Sequence, residues 1–70
     1  MTKSEIKESL KKGFVIRNNG YYDRGKPVNK FELCAPEKEI GTPLNTASVI
    51  GLLGIGFIKC INSVFIYNQK

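Results

Sequence analysis

Ile6 and Leu10 stand one helical turn apart in an otherwise polar, lysine-rich segment, a spacing that predicts an amphipathic helix with one buried stripe. Thr2-Lys3-Ser4-Glu5 marks its start as a capping box, in which the Thr2 hydroxyl and the Glu5 carboxylate satisfy reciprocal backbone donors. Glu8 and Lys12 are spaced to pair, Lys11 and Lys12 complement the negative end of the helix dipole, and Lys3, Lys7 and Lys11 run along the exposed side. The period changes at Gly13. A glycine after the last turn adopts the left-handed conformation that ends helices, and Phe14-Val15-Ile16 then alternates as a strand with Phe14 and Ile16 on one face. "LKKGFVI" at 10–16 and "LGIGFIK" at 53–59 share the pattern Leu-x-x-Gly-Phe-apolar. Each half is therefore expected to run helix, glycine, strand, by duplication or as two solutions to one local problem.

Between the first strand and the next apolar alternation lies "RNNGYYDRGKP" at 17–27. Asn19-Gly20 is a type I′ hairpin signal that would return Tyr21-Tyr22 beside Ile16-Arg17, and Arg24-Gly25-Lys26-Pro27 is a second turn signal. The stretch is either two turns around a short aromatic strand or one long loop. Residues 29–34 then alternate as a strand with Phe31 and Leu33 toward the core and Glu32 outward, and 36–41 is a charged surface connection. Thr42-Pro43 has the form of an N-cap followed by proline at the first helical position, which predicts a second helix over about 43–55 buried through Leu44, Ala47, Ile50 and Leu53. That helix has no charge, and Gly51 and Gly54 each lower its intrinsic helicity by about 1 kcal/mol, so another element is expected close against them. "FIKCINSVFIYN" is a hairpin turned at Asn62-Ser63, pairing Ile61 with Val64, Cys60 with Phe65, Lys59 with Ile66 and Ile58 with Tyr67. Both of its faces are apolar, so one needs covering by a second copy of the chain or by the first half of the fold. The whole predicts a single α+β domain, two short helices packed on a small antiparallel sheet in the order α-β-β-β-α-β-β.

Seventy residues allow one domain with a small core, which makes a homodimer a natural route to further burial. Eleven Lys and Arg against six Asp and Glu give a net charge of +5, and all of the excess falls in residues 1–30. The C-terminal half is neutral and more apolar. Cys34 and Cys60 lie in apolar strands and are expected buried and reduced, no secretory signal is visible at the N-terminus, and a cytoplasmic location follows as the expectation. Without histidine and with two cysteines no structural zinc site is expected. The apolar run over 47–67 is long enough for a membrane helix, yet Lys59 falls near its middle and Asn62-Ser63 is better explained as a turn, which leaves a cationic membrane-active peptide as a minor reading.

No catalytic constellation is present. The carboxylates fall on a helix exterior, a turn, a strand face and a loop, the cysteines have no base beside them, and Gly51, Gly54 and Gly56 lack the spacing of a phosphate loop. The chain is thus expected to be a binding protein without enzymatic activity, cofactor or small-molecule substrate, of a kind that would suit a small basic regulator or inhibitor encoded by a phage or mobile element. Its candidate contact residues are Lys7, Lys11, Arg17, Tyr21, Tyr22, Arg24, Lys26 and Lys30. In one class of partner, an acidic protein surface meets the tyrosine and arginine anchors. In the other, nucleic acid phosphates meet the bases while Tyr21 or Tyr22 stacks. For the second class, the helix and hairpin over 42–68, with "LGIGFI" at their junction, resemble the end of a winged-helix domain. The resemblance implies a groove-reading helix, but here that helix has no Lys, Arg or Gln and only Asn45 among exposed amides, so the family's DNA contacts do not carry over.

Overall fold

The computed structural model describes residues 2–69, so Lys70, one of the bases that keep the C-terminal half neutral, lies outside them. The elements in order are α1 (Lys3–Lys11), β1 (Val15–Asn18), β2 (Tyr21–Asp23), β3 (Lys26–Val28), β4 (Phe31–Cys34), β5 (Thr42–Leu44), α2 (Thr46–Gly54), β6 (Ile58–Ile61) and β7 (Val64–Tyr67). This is the expected α+β class with two more strands than the sequence announces. Five strands form one antiparallel sheet in the order β5-β4-β1-β7-β6, and β2 and β3 form a separate two-stranded ribbon.

Both helices stop by the same device. At α1, Gly13 takes φ 106°, its N–H donates to the Leu10 carbonyl at 3.1 Å, and the Phe14 N–H donates to the Ser9 carbonyl at 3.0 Å. At α2, Gly56 takes φ 78° and the same two bonds run from Gly56 to Leu53 at 3.1 Å and from Phe57 to Leu52 at 3.0 Å. These are paired Schellman closures, each turning the chain from a helix directly into a strand. The start of α1 is the expected capping box, with the Glu5 N–H donating to Thr2 Oγ1 at 3.2 Å and the Thr2 N–H to Glu5 Oε1 at 3.1 Å. Glu8 meets Lys11 at 3.9 Å rather than Lys12, an exposed pair that contributes little.

Strand β1 sits at the centre because Ile16 pairs with Leu33 on one side and Phe65 on the other. Residues that share a register point to the same side, so Ile16, Leu33, Phe31, Phe65, Ile58 and Tyr67 form one sheet face. Ile6 and Leu10 of α1 and Val49 and Leu52 of α2 pack on that face to make the core. Phe31 and Phe65 meet edge to face at 5.9 Å. The C-terminal hairpin has the expected register at all four pairs, with Asn62 and Ser63 at φ 51° and 66°. Its inner face packs against the rest of the core through Ile58, Phe65 and Tyr67 and leaves Cys60 exposed, whereas Val64 and Ile66 on the outer face are half-buried and Ile61 is exposed.

Five expectations need correction. Asn19-Gly20 is not a hairpin turn: β1 pairs with β4 and β7, and the tight turn falls at Arg24-Gly25, at φ 52° and 79°. Thr42-Pro43 does not begin α2. Those residues form edge strand β5, the position in a sheet where a proline is tolerated, and Asn45 is the N-cap. The buried stripe of α2 is Val49 and Leu52, while Ala47, Ile50 and Leu53 are exposed and Leu44 belongs to β5; in a helix with no charge, nothing in the sequence marks which side faces out. Among the described residues nothing lies within 4 Å of a Cβ built at Gly51 or Gly54, so no element packs against them. The cysteines also divide: Cys34 is fully buried, but Cys60 is exposed on edge strand β6. Among the described residues no helix is long and apolar enough to cross a membrane.

Leu10→Ala and Leu52→Ala are each expected to destabilise by about 2–5 kcal/mol in urea titration, and Leu53→Ala by about 0.5 kcal/mol or less. A thiol reagent should label Cys60 in the native protein and reach Cys34 only on unfolding, read as one fast and one denaturant-dependent equivalent.

Candidate partner-binding site

The stretch 17–27 is neither a plain loop nor a strand of the main sheet. Ribbon β2–β3 continues outward from the β1–β4 pair as an arm, with Tyr21 opposite Val28, Tyr22 opposite Pro27 and Asp23 opposite Lys26. At its root the ladder is broken by Asn18, Asn19 and Asn29, whose amides supply the missing bonds. Asn18 Oδ1 accepts from the N–H groups of Gly20 at 3.0 Å and Lys30 at 3.1 Å, while Asn18 Nδ2 donates to Asn29 Oδ1 at 3.1 Å. The Asn19 N–H donates to the Lys30 carbonyl at 2.8 Å. Gly20 is here for clearance, since a Cβ would come 2.2 Å from the Val28 carbonyl oxygen.

A second layer of bonds ties the root to the connection 35–41 on the sheet face away from the helices. Glu32, expected outward, does point to that face but is 4% exposed. Its Oε1 accepts from Asn19 Nδ2 at 2.9 Å and from the Gly41 N–H at 3.2 Å, and its Oε2 lies 3.6 Å from Lys30 Nζ. Asn19 Nδ2 also donates to the Glu39 carbonyl at 3.0 Å, and Arg17 Nε donates to the Lys38 carbonyl at 3.2 Å. This connection, residues 35–41, is a strap that lies so close to β4 that a Cβ at Gly41 would run into the Leu33 carbonyl oxygen. The Gly41 N–H and then the Asn19 amide hold the Glu32 carboxyl below its ordinary value of 4.5, and burial pushes the Cys34 thiol up. Among the described residues no buried side-chain nitrogen or oxygen lacks a hydrogen-bond partner.

Beyond the root the arm is bare. Tyr21 is 59% and Tyr22 79% exposed, Arg24, Gly25, Lys26 and Pro27 are exposed, and a shallow groove of about 270 Å3 runs past Tyr22, Pro27 and Asn29. The candidate residues therefore separate into three places. Tyr21, Tyr22, Arg24 and Lys26 share the arm. Lys30 and Arg17 belong to its root, the first beside Glu32 and the second bonded to the strap. Lys7 and Lys11 lie on α1 in the helix layer, where Lys7 Nζ stands 5.3 Å from the centre of the Phe57 ring. Sequence reasoning missed Asn18, Asn19, Glu32 and Gly41, although three asparagines close to both ends of an exposed stretch are a usable signal, because amides can both donate and accept where a ladder breaks.

Among the described residues no group of three or more His, Cys, Asp or Glu could hold a metal ion. The chain matches no protein-family model, no curated protein and no solved structure.

A carboxyl held below its ordinary value stabilises the fold above the unfolded value, and that contribution is lost as pH falls through the folded one. The urea midpoint is thus expected to drop as pH falls below about 4.5. Glu32→Gln should lower the midpoint at neutral pH and flatten the acid slope, leaving the part due to Glu5, whose carboxyl is held low by the Thr2 backbone N–H.

Proposed function

We propose that the chain is a non-enzymatic binding protein, a small basic regulator or inhibitor that engages the acidic surface of a partner protein through the β2–β3 arm. One observation carries the reading: the arm holds two tyrosines, an arginine and a lysine outside the core, on a ribbon whose root is fixed by side-chain hydrogen bonds. Tyrosine and arginine supply the anchors that dominate protein interfaces, because each presents a large rigid surface with a polar tip. An isolated hairpin is marginal in water, so fixing this one at its root removes much of the ordering cost of binding. A two-stranded ribbon with side chains on both faces fits a cleft better than a flat surface, which suits inhibition by occupation. The net charge of +5 adds attraction to an acidic rim.

Nucleic acid is the second reading, favoured by the exposure of both tyrosines, which leaves their faces open for stacking. Two features weigh against it. The arm alternates Asp23 with its bases, and Lys7 and Lys11 sit on another element rather than extending the arm into one phosphate track.

Changing Tyr22 and Arg24 together to alanine is expected to abolish capture of the partner while shifting stability by about 1 kcal/mol or less. With a protein partner the capture resists nuclease, and the loss concentrates at one tyrosine. With nucleic acid it disappears on nuclease treatment, and Lys26→Ala lowers the slope of log affinity against log salt by about 0.9. Full binding by the double variant would remove the arm from the contact.

A further inference from the structure

Among the described residues, three of the five exposed large apolar side chains outside the arm gather at α2, the other two being Ile40 in the connection 35–41 and Ile61 on β6. Ile50 and Leu53 of α2 and Ile55 just past its end are 61%, 44% and 61% exposed, and Ala47 is exposed on the preceding turn. No charged residue occurs between Glu39 and Lys59. A surface helix normally turns a polar side to water, whereas α2 is apolar on the side that packs and on the side that does not.

The glycines sharpen the point. Each of Gly51 and Gly54 costs about 1 kcal/mol of helix stability relative to alanine, and among the described residues nothing lies within 4 Å of a Cβ at either position. Contacts inside the chain do not require them. They leave the helix surface low beside the projecting Ile50 and Leu53.

We infer that a second copy of this chain covers this face, the two α2 helices packing about a twofold axis with Ile50 and Leu53 of each seated over Ala47, Gly51 and Gly54 of the other. An isologous contact needs projections and hollows on one patch, and this patch has both. Charge selects the same occupant. Two copies at +5 repel through most of their surface, and the uncharged segment is where they approach without opposing like charges. An acidic partner gains nothing from a face without a base, and a helix lying on a membrane carries lysine or arginine along its polar side, of which α2 has none. The contact is small: α2 has 9 residues, a length of about 14 Å, so the pair belongs at the weak end of specific interfaces, with dissociation in the micromolar range or above. The inference stands apart from the arm, and the Tyr22 and Arg24 double variant should self-associate as the parent does.

Sedimentation equilibrium of the full chain from micromolar to millimolar concentration tests it. The parent is expected to dimerise at the upper end, and Ile50→Lys to weaken the dimer at least tenfold while melting as the parent does when dilute. Gly51→Ala with Gly54→Ala gives two readings of opposite sign, a higher melting temperature for the dilute monomer and a weaker dimer. A parent that stays monomeric throughout, an Ile50→Lys variant that dimerises equally, or a glycine variant that gains stability without losing association overturns the inference. So does Ile50-dependent binding of monomer to phosphatidylserine vesicles, which would give the face to a membrane surface.

Discussion

Glu32 lies on the side of the sheet that no helix covers, almost wholly removed from water, and a carboxylate in that position is tolerated only when its oxygens are hydrogen-bonded or paired. Its partners come from three places in the chain: Asn19 where the arm leaves the sheet, Lys30 where it returns, and Gly41 at the end of the strap. The strap in turn covers Cys34, whose Sγ lies 3.5 Å from the Glu39 carbonyl, and receives Arg17 through Lys38. One buried acid therefore fixes the angle at which the arm departs and closes the sheet face that the helices leave open. Removing it would leave the Gly41 and Asn19 donors without their shared acceptor, a larger loss than that of a single surface bond.

The rest of the architecture follows from having few residues to bury. Among the described residues eight buried apolar side chains form the core, all from α1, α2 and the five-stranded sheet, and none comes from the arm. Stability thereby rests on residues separate from those proposed for recognition. A substitution on β2 or β3 disturbs a local ladder and little else, so the arm's surface can vary without cost to the core, provided that the asparagines of the root and the clearance at Gly20 are kept.

Signals with one physical solution were legible in the sequence. The capping box at Thr2, the glycine stops at Gly13 and Gly56 and the Asn62-Ser63 hairpin each appear as expected, because a left-handed residue between a helix and a strand, or two turn-forming residues between alternating apolar runs, leaves the chain little choice. Signals with two solutions misled. Asn-Gly serves a type I′ turn or a close crossing, and at Gly20 it is the crossing. Thr-Pro serves a helix start or an edge strand, and β5 is the edge strand. The phase of α2 was illegible for a different reason: Val49, Ile50, Leu52, Leu53 and Ile55 are all apolar, so only the tertiary packing decides which of them face the sheet. The arm's exposed residues and two residues of its root, Arg17 and Lys30, could be named from sequence, but the buried acid that joins the root together could not, since Glu32 sits in an alternating strand where the outward position is ordinarily wet.

The same division of charge that separates the two halves of the sequence separates the two surfaces in kind. On the arm, Arg24 and Lys26 would act at a distance on the acidic partner proposed, with an attraction that begins before contact and fades as salt screens it over about 8–10 Å. In the contact inferred at α2 the attraction would be short-ranged and apolar, opposed by the repulsion between two +5 bodies, which the same salt relieves. Salt would therefore move the two proposed contacts in opposite directions. A chain of this size has little room to tune both with one set of residues, and here it does not have to: Arg24 and Lys26 stand on an arm that contributes nothing to the core, and the uncharged segment contains the helix that lies over the edge of the sheet.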